Sequence, residues 1–161
     1  MGRRAFVWWV GVFLLATGVG ACGEEEMSAW VDKSFVILKS TSKYAEALSF
    51  ATMAATRLNV KLDLRDLSSD ARIGLTFPKA LCEEEWDEFP CYVARGRWDD
   101  GVYISVEYSS GYKGFSPGMY IVVMANGYKG DKDVQAALVR ARKAFQDAYI
   151  KTTSVYMGCM H

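Results

Sequence analysis

The chain has 161 residues, 51% hydrophobic and 24% charged, which fits one folded domain and excludes an acidic disordered tail or a collagen-like repeat. Basic and acidic residues number 19 each, with no basic block, so nucleic acid is not an expected partner. The single histidine, His161, leaves little material for triad or general-base chemistry.

Arg3 and Arg4 precede an apolar run from Ala5 to Val19, followed by small residues and Glu24-Glu25-Glu26. A basic start, a short apolar core and small residues after it predict a secretory signal over 1–21 rather than a membrane span. Val19-Gly20-Ala21-Cys22 resembles a bacterial lipobox, and Arg3-Arg4-Ala5-Phe6 resembles a twin-arginine signal. The lipobox resemblance implies cleavage before Cys22 and acylation of its thiol. Several acyl chains hold a protein on a membrane firmly where one holds only reversibly. Residues 22–33 then read as an acidic tether, 34–157 as the domain and 158–161 as a tail. The expected location is the bacterial cell envelope, with the domain outside the cytoplasm.

Ser34–Lys39 is rich in β-branched and aromatic residues and predicts a strand. Ser42 is placed to cap the helix that follows, where Tyr44, Leu48, Ala51, Ala55 and Leu58 repeat at helical spacing and Asn59 ends the run. Val60–Leu64 alternates like a half-exposed strand. An exported chain meets an oxidising compartment, so its thiols are expected to pair. Cys82 and Cys91 are the favoured pair, with either joining Cys159 as the alternative.

Residues 65–117 form an insert. Val102, Ile104, Val106 and Tyr108 alternate with polar positions as a strand, and Tyr92–Arg95 is a further candidate. From Trp86 to Tyr128 stand 10 of the chain's 22 aromatic residues. The Gly-rich stretch 109–118 reads as an exposed loop. Met119–Ala125 predicts a strand, Asn126-Gly127 a turn, and Asp131 a helix cap. Val134, Leu138, Ala141, Phe145 and Ala148 form a second helical stripe, and Tyr149–Tyr156 is the last strand. Two such units predict an α+β domain of ferredoxin-like βαββαβ type, an antiparallel sheet with both helices on one face and a β-rich insert.

The half-units Val36–Thr41 with Ala45-Glu46-Ala47-Leu48, and Tyr120–Tyr128 with Val134–Leu138, resemble those of the SPOR (sporulation-related repeat) family. That resemblance spans about 34–64 and 118–156. It implies the same fold and a non-catalytic role in binding peptidoglycan glycan strands that lack stem peptides. Ile37 and Lys39 stand where the family carries Gln and Gly, and the apolar Ile37 implies that the insert covers part of the sheet.

Sugar faces stack on aromatic rings while polar groups fix their orientation. The candidate glycan-binding residues are Lys39, Arg95, Arg97, Trp98, Tyr103, Tyr112, Phe115 and Tyr120. Another envelope protein docking on the aromatic insert is the alternative partner. Copper(I) handling by Met157, Cys159, Met160 and His161 is a weaker alternative. No cofactor is expected, and the acidic run Glu83–Glu88 lacks the ligand order of a calcium loop.

Overall fold

The computed structural model describes residues 29–158; the signal segment, Cys22, and Cys159, Met160 and His161 lie outside the described residues. Strand β1 runs Trp30–Thr41, so residues 30–33 belong to the sheet rather than to the tether. Lys33 is buried within it. Helix α1 (Tyr44–Leu58) follows. Lys43 rather than Ser42 occupies its N-cap, and Asn59 ends it in the left-handed conformation, with its N–H on Ala55 and Thr56 carbonyls. The buried face of α1 is Ala47, Ala51, Ala54 and Leu58, and its three alanines let the helix lie close on the sheet.

Next come β2 (Ser68–Asp70), β3 (Gly74–Thr76), a short helix α2 (Lys79–Trp86) and β4 (Gly101–Tyr108). After β5 (Tyr120–Tyr128), α3 (Lys132–Arg142) opens on Asp131, whose side chain accepts the Asp133 N–H as the sequence predicts, and β6 (Tyr149–Tyr156) closes the chain. The protein is α+β. Its main sheet is antiparallel throughout, in the order β4-β5-β1-β6. Helices α1 and α3 share one face, packing Ala51, Ala54, Val134 and Ala141 against Val36, Leu38, Val106 and Met124.

Several expected elements differ. Val60–Leu64 makes one parallel bridge, Leu62 to Ile104, and is not a strand. The place beside β5 belongs instead to β4, so the insert ends before Gly101. Asn126-Gly127 lies inside β5 rather than in a turn, because the Asn126 side chain has partners across the sheet face. Tyr92–Arg95 is irregular, and 109–118 is not simply exposed: Ser109 and Tyr112 are buried. Cys82 on α2 and Cys91 form a disulfide. Among the described residues no helix is long and apolar enough to cross a membrane.

Candidate functional site

The sheet face away from the helices carries Phe35, Ile37, Ile121 and Val123, all buried, and Tyr112, Phe115 and Ala94 pack over them. Two stretches of chain therefore roof this face: 92–97, and 109–115 with its 3-10 turn at Ser109–Gly111. Side chains on the strands hold that roof down. Apolar contact alone would leave it free to slide; hydrogen bonds fix its position.

Arg95 is the main fastener. It is fully buried, and all three guanidinium nitrogens are used: Nε donates to Asn126 Oδ1 (2.6 Å), Nη1 to the Tyr103 carbonyl (2.9 Å) and Ser105 Oγ (3.0 Å), and Nη2 to the Gly101 carbonyl (2.9 Å). Its Cζ stands 3.4 Å from the Tyr103 ring centroid. Burial pulls this guanidinium below its ordinary pKa. Asn126 also donates to Asp100 Oδ1 (2.7 Å), and Asp100 pairs with the buried Lys33.

A second knot surrounds Glu107, which is fully buried on β4. Its Oε2 accepts from Arg65 Nη1 (2.8 Å) and from the Tyr92 hydroxyl (2.9 Å). Arg65 Nε pairs with Asp99 (3.0 Å) and Nη2 donates to the Val93 carbonyl (3.0 Å). Burial opposes the Arg65 charge, but Glu107 and Asp99 outweigh it and hold its pKa above the ordinary value. Burial, reinforced by the Glu107 charge, raises the phenols of Tyr92 and Tyr112 well above their usual range, and burial likewise raises Tyr103.

Gly96 allows the roof to sit this low. Its φ is +108°, and a Cβ there would stand 2.8 Å from the Phe35 ring. The tight passage is followed directly by Arg97 and Trp98, which form the outward end of the roof. Trp98 is 74% exposed. The Arg97 Cζ lies 4.1 Å from the Trp98 ring centroid and 5.4 Å from that of Tyr156. Tyr156 in turn packs on Trp30 (5.3 Å between centroids), and Lys113 Nζ stands 3.1 Å over the Trp30 ring. Trp98, Arg97, Tyr156, Trp30 and Lys113 thus make one continuous ledge of rings and cations. Trp30 and Tyr156 are each more than one-third exposed.

The predicted site residues divide around this ledge. Arg97 and Trp98 lie on it. Arg95, Tyr103 and Tyr112 lie within the roof, with Arg95 and Tyr112 buried. Phe115 packs on Tyr112 beneath Lys151, and Tyr120 lies between Tyr44 and Tyr108, donating to the Gly74 carbonyl (3.1 Å). Lys39 belongs to the helix side, 5.7 Å from the Phe50 ring. Trp30 and Tyr156 escaped the sequence reading, although they face each other in the β1–β6 register. Among the described residues no group of His, Cys, Asp and Glu could hold a metal ion.

A scan against protein-family models finds no match to this chain, and searches of curated proteins and of solved structures find none either.

Proposed function

We propose that the protein is a non-catalytic glycan-binding module of the bacterial cell envelope, tethered to a membrane through acylated Cys22. On this reading the domain is of the ferredoxin-like βαββαβ type, which the strand order β4-β5-β1-β6 and the shared helix face support. The SPOR resemblance supplies peptidoglycan glycan as the ligand. With the sheet face roofed, the sugar-binding surface is the ledge of Trp98, Tyr156 and Trp30 rather than the sheet itself.

One observation carries this reading: Trp98 is 74% exposed beside the Arg97 guanidinium and is continuous with two further exposed rings. Such rings offer an apolar plate to the C–H face of a pyranose, while adjacent cations fix its hydroxyls. The test is sedimentation of the full chain, in detergent, with purified sacculi. The native chain is expected to co-sediment, and Trp98→Ala to lose roughly tenfold in affinity, the worth of one stacked ring. Absence of co-sedimentation overturns the proposal and favours docking on another envelope protein through the same rings.

A further inference from the structure

Three guanidiniums serve the roof, and two of them are fully engaged. Arg95 uses all its nitrogens on neutral oxygens, and Arg65 pairs with two carboxylates. Arg97 differs. It is only 4% exposed, yet its Nε and Nη2 are buried without a hydrogen-bond partner, and among the described residues no carboxylate pairs with it. Buried polar groups are almost always satisfied, and a buried charged donor left unpaired is costly.

The two unused atoms are chemically specific. Nε and Nη2 carry the parallel N–H pair along one edge of the guanidinium, the fork that receives both oxygens of a carboxylate. The Trp98 ring lies over that guanidinium, 4.1 Å from Cζ to centroid, so the stacked indole takes up a face of the group and leaves its edge to an in-plane acceptor. Lys113, over Trp30, adds a second positive charge along the ledge.

From this unpaired fork we infer that the ledge selects an acidic sugar: a pyranose whose ring stacks on the exposed aromatics while its carboxylate enters the Arg97 fork. Because Nε and Nη2 are buried, entry of the carboxylate requires side chains around Arg97 to move aside, and Trp98, 74% exposed, is the least confined of them. The inference rests on the glycan reading of the ledge and adds the charge of the ligand. Two sources share the chemistry: the lactyl carboxylate of amidase-treated peptidoglycan strands, and the uronate of polygalacturonate.

The experiment measures binding of the full chain in detergent to amidase-treated glycan strands, and to the same strands with carboxyls converted to neutral amides by carbodiimide coupling. Polygalacturonate and its methyl ester form a parallel pair, and a neutral chitin oligosaccharide is the uncharged reference. In at least one pair the carboxylate form is expected to bind roughly ten- to a hundredfold more tightly, as befits a charge-assisted bidentate contact. The pair that responds identifies the source. Arg97→Gln should abolish the difference while keeping weak binding of the chitin oligosaccharide; if that variant does not fold, masking of the ligand on the native chain still decides. Equal binding of masked and unmasked ligands overturns the acidic-sugar inference and leaves the glycan reading standing. Competition by inorganic phosphate but not by galacturonate also overturns it. Failure of every glycan to bind removes the ledge reading, and the inference with it.

Discussion

At the scale of single residues, the roof depends on charges that have been taken out of water. Glu107 is fully buried, and Arg65 is the cation that compensates it at 2.8 Å. Removing one partner of a buried pair strands the other, which is worse than never having had the pair. Arg65→Met is therefore expected to destabilise the domain by about 3–5 kcal/mol in urea unfolding. The double variant Arg65→Met, Glu107→Leu should recover part of that loss. A single variant as stable as the native chain would refute this account of the roof. None of this was legible in advance, because residues 65, 92 and 107 share no local spacing and meet only once the insert folds back. Arg97 and Trp98 were legible as candidates, since an aromatic beside a cation is a local pattern. Their partner Tyr156 was not, because it lies at the far end of the chain and is joined to Trp30 by strand register.

At the scale of elements, the helices show which sequence signals carry furthest. The stripe read from helical spacing, Tyr44, Leu48, Ala51, Ala55 and Leu58, is rotated slightly from the observed buried face of Ala47, Ala51, Ala54 and Leu58. The two agree at Ala51 and Leu58. They diverge because the line of closest approach to the sheet runs along Ala47, Ala51, Ala54 and Leu58, which leaves Leu48 and Ala55 half-buried at the flanks. The boundaries of β6 matched because a run rich in β-branched residues, Ile150, Thr152, Thr153 and Val155 between Tyr149 and Tyr156, is a local signal. Asn126-Gly127 misled for the opposite reason: a turn-forming dipeptide is overridden by long-range partners on Arg95 and Asp100. Close helix packing makes a direct prediction. Ala51→Leu adds volume where none is free and should cost about 1–3 kcal/mol, whereas Ala45→Leu on the exposed face should be nearly neutral. Equal effects in thermal unfolding would show that the small-residue face does not set the helix–sheet distance.

At the scale of the whole molecule, one sheet is covered twice by different chemistry: an apolar helix layer on one face and a polar, aromatic roof on the other. The roof's phenols then tie overall stability to pH. Burial raises Tyr92 and Tyr112 well above the ordinary phenol range in the folded state, while in the unfolded chain they titrate near pH 10. A raised folded-state value means that stability is fully present below the unfolded value and is lost as pH climbs past it, since only the unfolded chain can release those protons. Each such phenol contributes a slope of about −1.4 kcal/mol per pH unit above about pH 10. Tyr112 separates this effect from ordinary packing, because its hydroxyl is buried without a hydrogen-bond partner. Tyr112→Phe removes a buried polar group with nothing to lose, so it should leave stability at neutral pH unchanged or slightly increased. Above about pH 10 the same variant should unfold with a slope shallower by about 1.4 kcal/mol per pH unit. Urea unfolding across that range, with phenolate absorbance followed in parallel, reads both quantities. If the tyrosines ionise before the fold is lost, or if the variant keeps the native slope, the roof is not the closed layer that links the aromatic insert to the sheet.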